Sequence, residues 1–327
     1  MGREARARET IDEAEGRCNE RFFFHSFPRR GGGSSAAGLA VLQSMTEAGF
    51  LLVPEIIKWQ EPLMDDRLSE PFFVAQKRMC FTELTEPELR EHSNRFGPFS
   101  LEFSIPSLRQ LGAVPVFYVP RGATDEHLES IGNALMARML EIEQLLDRLA
   151  QIANVVTAAP RADETIAITM DGCAVGTLSL NVGQARQLFE VLFHRSQPVG
   201  QLLNAMRASA GFLYPTEDLS FTDTLAYYRQ REWRIVSAMV KHGTELSREP
   251  TDDEVARLVT LDPEFFGKEL DFRTGKSTRA RQSRFMREVS GRHVLSFARR
   301  LFCPRDAADA ARALLASLPD HPEVIAV

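Results

Sequence analysis

The chain has 327 residues, of which 44% are hydrophobic and 26% charged, and its net charge is −6. These values are typical of a globular protein with one large domain, or a core carrying a sizeable insertion, and they exclude a molecule that is basic overall. The four cysteines, Cys18, Cys80, Cys173 and Cys303, are too widely spaced to predict a zinc site or a disulfide framework. No apolar run approaches the roughly 18–20 residues of a membrane helix, and the charged N-terminus lacks a signal-peptide core. We therefore expect a cytoplasmic protein that does not span a membrane.

The first predicted unit is a charged helix over residues 1–20, and the first half of a mixed core follows over residues 21–122. "RFFFHSF" predicts a strand, and "PRRGGGSSAAG" a loop whose serines can cap the next helix, which Gly49 ends. "FLLVPEII" and "RMCFTEL" predict two more strands. "TEPELREHSNRFG" has the capping pattern of a helix that starts at Thr85. "FSLEFS" and "AVPVFYV" complete the set as strands.

The middle of the chain differs, and residues 123–212 are predicted to form an inserted unit of helices and a hairpin. Apolar residues at helical spacing from Asp125 to about Val156 indicate one long amphipathic helix. Two strands joined at Asp171-Gly172 have a good hairpin signal. Two further helical patterns, "VGQARQLFEVLFHR" and "PVGQLLNAMRAS", end this unit.

The last part, residues 213–327, returns to strand-like text. It contains "EWRIVSAMV", the acidic helix "TDDEVARLV", a basic segment, "ARRLFCP", a helix starting near Asp306 and a final strand "PEVIAV". We therefore predict an α+β fold with a mixed or antiparallel sheet, in which strands from both chain ends belong to one sheet system.

The basic segment runs from Arg273 to Arg300, and Glu288 is its only acid. One interpretation is a solvated loop and helix face. The other is a contact for phosphate, nucleic acid or an acidic protein partner. The candidate contact residues are Arg273, Arg279, Arg281, Arg284 and Arg287.

Glu232 is an acid at the start of an apolar strand, and because acidic residues are depleted in strands, its presence there requires an explanation. It can pair with Arg231 or Arg234, which at a surface contributes only about 0–1 kcal/mol. Alternatively, it can point into a cleft, where a carboxylate stabilises positive charge in a reacting sugar. Its neighbour Trp233 would then point to the opposite face of the sheet.

His25 lies at the end of the first strand, directly before the glycine-rich loop. It is either a strand-end histidine with a satisfied ring or a ligand-orienting residue in a cleft. Arg29 and Arg30 in the adjoining loop can hold phosphates. The other histidines have no paired spacing, so no metal site is predicted.

Five blocks of the sequence together resemble the AbiGi-type abortive-infection family of phage-resistance proteins. The blocks are "FFFHSF" with "GLAVLQSMTEAGF", "RMCFTELTEPELREHSNRFGPFSLEFS", "PVFYV", "REWRI" and "LFCPRDA". They cover residues 21–121 and 226–327 and leave the middle uncovered. The resemblance implies a role in anti-phage defence, and the family label is also associated with a non-catalytic antitoxin that holds a partner toxin.

The opening is also similar to that of ADP-ribosyltransferase-like proteins, and this likeness implies a related fold, NAD as a substrate, and a nucleic acid or protein as the target. His25 would orient the nicotinamide-side ribose, and Glu232 would bind its 2′-hydroxyl and stabilise the oxocarbenium. The likeness places the middle motif position at one of three residues on or beside the "FGPFSLEF" strand. The further candidate binding residues are Ser26, Arg29, Arg30, Phe96, Phe99, Ser100 and Trp233.

Overall fold

The computed structural model describes residues 21–28, 34–60, 71–119, 131–158, 163, 165–169, 177–195, 198–215, 231–237, 240–241, 244–272 and 275–327. The predicted helix over residues 1–20 and the predicted turn at Asp171-Gly172 lie outside these ranges. Arg29, Arg30 and Arg273 lie outside them as well.

Strands are distributed over the whole described chain. They are β1 (Arg21–Phe27), β2 (Phe50–Gln60), β3 (Pro71–Thr85), β4 (Phe99–Phe103), β5 (Val114–Pro115), β6 (Phe117–Val119), β7 (Thr165–Thr169), β8 (Thr177–Asn181), β9 (Leu213–Pro215), β10 (Glu232–Val236), β11 (Val240–Lys241), β12 (Thr244–Glu245), β13 (Glu269–Phe272), β14 (Gly275–Thr278), β15 (Arg284–Met286), β16 (Glu288–Val289), β17 (Arg292–His293), β18 (Arg300–Cys303) and β19 (Glu323–Ala326).

The α-helices are α1 (Ser35–Ala48), α2 (Glu86–Phe96), α3 (Ile105–Gln110), α4 (Ile131–Ala158), α5 (Val182–Phe189), α6 (Pro198–Phe212), α7 (Asp252–Leu261), α8 (Pro263–Phe266), α9 (Arg279–Gln282) and α10 (Ala308–Leu315). A π-helical turn (Glu190–Arg195) continues α5, and 3₁₀ turns cover Val294–Phe297 and Arg305–Ala307. Local sequence explains several helix starts. The side chain of Ser34 caps α1, and Thr85 and Glu88 form a reciprocal capping box at α2.

Within the described ranges, nine strands form one sheet, with the order β15-β2-β3-β1-β4-β18-β19. In addition, β10 pairs with β3, and β5 pairs with the other edge of β10. The pairings are antiparallel except for β18 with β19, so the sheet is mixed. The long strand β3 is its centre. Along one edge β3 pairs first with β2 and then with β1, and along the other edge it pairs with β10.

One face of the sheet, here called face one, carries the main hydrophobic core. Side chains such as Phe23, Phe81, Phe103 and Leu101 point into it. Helices α1, α3 and α10 and the 3₁₀ turn Val294–Phe297 cover these side chains. Burial of this size is the main source of stability for the fold.

The opposite face, here called face two, is covered by three separate groups of elements. Helix α2 packs on β1 and β18 through Leu89, α4 and β9 pack on β2 through Met136 and Leu213, and α7 to α9 pack beside β15. Strand β6 lies where the chain leaves the sheet and β9 lies where it returns, and these two strands pair in parallel. The helices α4, α5 and α6, with the intervening turn, are together called the helical unit.

The predicted mixed α+β fold is confirmed, and strands from both chain ends do belong to one sheet. Several predicted elements have other bounds. "AVPVFYV" forms two short strands with different partners, since β5 pairs with β10 and β6 pairs with β9. "VGQARQLFEVLFHR" changes from α-helix to π-helix at Glu190. Within the described ranges, no helix combines the length and apolar character needed to cross a membrane.

Candidate functional site

Glu232 lies at the start of β10, and several protein donors engage its carboxylate. Arg234 donates from Nε to Oε1 at 2.7 Å and from Nη2 to Oε2 at 3.3 Å. The Tyr118 hydroxyl donates to Oε2 at 3.2 Å, and the nearby Cys80 thiol helps to lower the pKa of the carboxyl group. The Glu232 side chain is only 11% exposed. The ion pair with Arg234 that the sequence left as an alternative is therefore present, but it is largely buried.

This pair belongs to a larger buried network on face two. The amide oxygen of Gln76 accepts from Arg78 at 2.6 Å and from Arg234 at 3.4 Å, and Arg78 also pairs with Glu55. The Gln76 amide nitrogen donates to two backbone carbonyls of α6 and β9, at 2.8 and 2.9 Å. We call this set the polar cluster; its members are Glu55, Gln76, Arg78, Cys80, Tyr118, Tyr214, Glu232 and Arg234.

The Tyr214 ring completes the polar cluster from the side of the helical unit. The guanidinium groups of Arg78 and Arg234 lie 5.0 and 4.8 Å from its centroid. Such cation–π contacts are strongest where water is excluded, and Arg234 is 1% exposed. The polar cluster therefore holds β9, which directly follows the last helix of the helical unit, against the sheet.

Electrostatics fix the protonation states in the polar cluster. Burial acts to raise the pKa of Glu232, but the guanidinium of Arg234 and its hydrogen bonds hold that pKa below its usual value. Burial and the Glu232 charge raise the pKa of Cys80 to about 12, and the same two causes raise the pKa of Tyr118. At neutral pH the carboxylate is therefore charged, while the thiol and the phenol keep their protons as donors.

His25 lies on the other side of the sheet from Glu232. Phe24 pairs with Thr82, and Thr82 pairs with Glu232, so Phe24 and Glu232 share face two. His25, the next residue, points to face one, where its ring contacts Phe27 and Phe81. The expected cleft lined by both His25 and Glu232 is therefore not formed.

A structural role explains His25. Along one edge of β3, pairing with β2 ends at Arg78 and pairing with β1 begins at Thr82. His25 Nδ1 donates to the Cys80 carbonyl in this gap at 2.9 Å. A buried carbonyl without a partner is costly, so the ring supplies the hydrogen bond that a strand would otherwise make. Burial lowers the pKa of His25, which keeps the ring neutral.

A second group of polar side chains lies on face two, between β1, β4 and α2. Ser26 Oγ shares hydrogen bonds with Ser100 Oγ at 2.7 Å and with His92 Nδ1 at 3.1 Å. Ser93 lies 3.4 Å from Ser100, and the His92 ring stacks on Phe96 at 4.4 Å. We call these five residues the hydroxyl–imidazole cluster. It contains three of the predicted binding residues, Ser26, Phe96 and Ser100.

His92 was not singled out from the sequence. Burial, His25 and Arg95 lower the pKa of His92 to about 4, so it is neutral at pH 7. The available signal was helical spacing, because His92 follows the buried Leu89 by three residues and precedes Phe96 by four. That spacing places all three side chains on the face of α2 that packs on the sheet.

Two other predicted binding residues are core side chains. Phe99 is fully buried and lies directly against Gly38, where an added Cβ would come within 2.0 Å of the Phe99 ring. Trp233 points to face one, as the alternation from Glu232 predicts, and its ring centroid lies 5.1 Å from that of Phe23. Neither aromatic ring faces Glu232.

Acids from before and within α7 pair with two arginines of the described part of the basic segment. Arg281 pairs with Asp252, and Arg284 pairs with Glu249 at 2.7 Å. Arg279 lies 4.1 Å from the centroid of the Phe265 ring and donates to the Phe265 carbonyl. Among the predicted contact residues within the described ranges, Arg281 and Arg287 are exposed. Part of the positive charge of this sequence interval is therefore balanced by acids from another interval.

The described residues contain no group of three or more histidine, cysteine, aspartate or glutamate side chains that could hold a metal ion. No protein-family model, curated protein or solved structure matches the chain. The function must therefore be inferred from the geometry of the two polar clusters and from the exposed surfaces of the molecule.

Proposed function

We propose that the protein is a partner-binding component of anti-phage defence that acts without catalysis, as an antitoxin or regulator. The defence context comes from the resemblance to the AbiGi-type family. The absence of catalysis at Glu232 is inferred from the donors around its carboxylate. Three blocks of that resemblance, around Cys80, Tyr118 and Glu232, supply members of the polar cluster.

The observation that carries this proposal is the engagement of both Glu232 carboxylate oxygens by donors of the same chain. A carboxylate has about four lone-pair positions. Two guanidinium N–H groups of Arg234 and the Tyr118 hydroxyl occupy three of them. A ribose hydroxyl would have to share the side chain with these donors. This arrangement supports a structural role, in which Glu232 compensates the buried charge of Arg234.

The helical unit supports the binding half of the proposal. Among the exposed large hydrophobic side chains of the described residues, more than half lie there: Leu135, Ile142, Leu145, Val155, Leu188, Val191 and Leu202. Exposed apolar side chains grouped on one unit are typical of a contact surface. A surface for another macromolecule is the interpretation that fits them.

Co-expression with the product of the adjacent gene tests the binding role. We expect the two proteins to co-purify, and we expect Leu202→Glu to weaken the complex because it places a charge among the exposed apolar side chains. Leu261→Glu, on α7, is the matched control, since Leu261 is also an exposed leucine near a helix end. If both variants still formed the complex, the contact would have to lie outside the helical unit. Failure to co-purify at all would contradict the proposal for that partner.

The second candidate is an enzyme that transfers ADP-ribose from NAD, with a related fold. One observation favours it: Ser26 and Ser100 lie on the same face of the sheet as Glu232, and the Tyr118 hydroxyl touches that carboxylate. In this version His25 has no part in the chemistry, and Ser26 and Ser100 take the place of the second motif.

Release of nicotinamide from NAD separates the two candidates. Wild type and Glu232→Gln are incubated with NAD and with nucleic acid or protein acceptors. The binding role predicts no release above background in either. Turnover by wild type that Glu232→Gln abolishes, with its fold intact, would establish the enzyme and overturn the binding proposal.

A further inference from the structure

The chain leaves the nine-stranded sheet directly after Val116, whose N–H donates to the Glu232 carbonyl at 2.9 Å. From there to Pro215 the described strands pair among themselves, β6 with β9 and β7 with β8, each as a separate two-stranded sheet. The helical unit and its base strands β6 and β9 therefore lie against the large sheet without continuing it. They can separate from that sheet without breaking any of its strand pairs.

The helical unit has contacts of its own that join its helices to one another. Ala153 and Val156 of α4 share an apolar cluster with α5. Arg207 of α6 pairs with Glu143 and Asp147 of α4, at 2.8 and 3.4 Å. These contacts lie within the unit and remain when it moves. A displacement of α4 from the sheet therefore carries α5 and α6 with it.

The contact between the helical unit and the sheet combines a small apolar cluster with buried polar groups. Trp59 of β2 packs with Met136 of α4 and Leu213 of β9. Among the described residues, none is a hydrogen-bond partner for the buried Trp59 indole nitrogen, and an unsatisfied buried donor destabilises the closed arrangement. Across the same boundary, the Tyr118 hydroxyl donates to Glu232 at 3.2 Å. Separation loses that hydrogen bond but lets water reach the indole N–H.

We propose that the helical unit is a hinged cover, which opens as one body about the β6–β9 base and exposes the polar cluster. The hinge lies between Val116, which stays bonded to the sheet, and β6. Opening withdraws Tyr118 from Glu232 and withdraws the carbonyls of α6 and β9 from the Gln76 amide. The Glu232 carboxylate then faces water. A ligand that binds the open form better than the closed form shifts the equilibrium toward opening.

Oxidation by hydrogen peroxide, followed at each methionine by mass spectrometry, tests the opening. Met136 of α4 faces the sheet and is 0% exposed, while Met79 and Met286, in the core of face one, are 3% and 1% exposed. A buried methionine is oxidised only while an opening exposes it. We expect Met136 to be oxidised more than about tenfold faster than the two core methionines, because its exposure does not require global unfolding. A common rate for all three would overturn the proposal.

Two variants that each remove one hydroxyl separate opening from global unfolding. Tyr118→Phe loses the hydrogen bond across the boundary, so we expect about tenfold faster oxidation of Met136. Ser104→Ala is the matched control, because it removes the N-cap of α3, which packs in the core of face one. It should accelerate oxidation of the two core methionines and leave Met136 unchanged. If Ser104→Ala accelerated all three equally, or if Tyr118→Phe left Met136 unchanged, the hinged cover would be excluded.

Hydrogen exchange tests whether the unit opens as one body. A helix that moves intact keeps its internal hydrogen bonds, so the central amides of α4 should have larger protection factors than Met136 has toward peroxide. Amide protection equal to or below that of Met136 would mean that α4 melts when it leaves the sheet, which contradicts the one-body opening. Both measurements use the purified protein without NAD or a partner, so their failure is distinguishable from failure of the proposed function.

Discussion

The arginines of the polar cluster and those of the basic segment have the same chemistry and opposite surroundings. Arg234 is 1% exposed and shares a buried carboxylate with the neutral Tyr118 hydroxyl. Arg281 pairs with Asp252 at the surface, and both side chains remain largely open to water. In the sequence, both intervals looked like places where charge meets a ligand. The structure shows that Arg234 and Arg281 each meet an acid of their own chain, and burial decides how much each pair contributes to stability.

The largest effect is expected from Arg234→Met. Removing the guanidinium leaves Glu232 buried without its ion-pair partner, which typically costs about 3–5 kcal/mol of unfolding free energy. Urea unfolding followed by circular dichroism measures the loss.

The double variant Glu232→Gln/Arg234→Met is the internal control for that experiment. It removes the uncompensated charge as well, so it should recover part of the lost stability. If Arg234→Met cost less than about 1 kcal/mol, the buried pair would behave like a surface pair, and the contrast between the two regions would be wrong.

An acid titration separates, by pH window, the hydroxyl–imidazole cluster on face two from the Arg248–Glu254 ion pair beside the basic segment. The folded-state pKa of His92 is lowered to about 4 from 6.5, so its contribution to stability is complete above pH 6.5 and is lost as pH falls toward 4. Glu254, which pairs with Arg248 beside the basic segment, has its pKa lowered from 4.5 to about 2. Its contribution is complete above pH 4.5 and is lost between 4.5 and 2. We expect acid to weaken the hydroxyl–imidazole cluster first and the surface pair second.

His92→Gln makes this titration specific. A neutral amide does not titrate, so the slope of unfolding free energy against pH between 6.5 and 4 should fall by about one proton, or about 1.4 kcal/mol per pH unit at most. His25 and His293 also have lowered pKa values and supply the slope that remains. NMR titration of the His92 ring is the direct measurement. A His92 pKa near 6.5 would contradict the burial of this cluster.

The sequence predicted individual helices and strands better than it predicted which of their side chains lie together. Alternation and capping patterns identified the α+β class and the starts of α1 and α2, because those signals are local. Even the opposite orientation of Trp233 followed from strand geometry. The relation of His25 to Glu232 was not local, because it depends on which edge of β3 each strand joins. One residue of register decides whether two side chains share a face, and no composition signal carries that register.

The sequence also does not show which acids pair with the arginines of the polar cluster and of the basic segment. Arg281 and Asp252 are 29 residues apart, and Arg234 meets Tyr118 through Glu232 across more than a hundred residues. The role of a basic interval therefore cannot be predicted without knowing which acids fold onto it. His92 was missed for a related reason. Its hydrogen-bond partner Ser26 lies on β1, and Ser26 in turn shares a hydrogen bond with Ser100 on β4, so the cluster joins strands on either side of α2 in the sequence.

The smallest effect is expected from Arg281→Ala. Its pair with Asp252 is exposed on both sides, and such pairs contribute about 0–1 kcal/mol, reduced further by salt. We expect an unfolding free energy within about 0.5 kcal/mol of wild type at 0.15 M salt. Arg284→Ala, whose side chain is 18% exposed, should cost slightly more, because the arginine there is better shielded from water. If Arg281→Ala instead lowered the unfolding free energy as much as Arg234→Met, the surface ion pairs of the basic segment would contribute more to stability than their exposure explains.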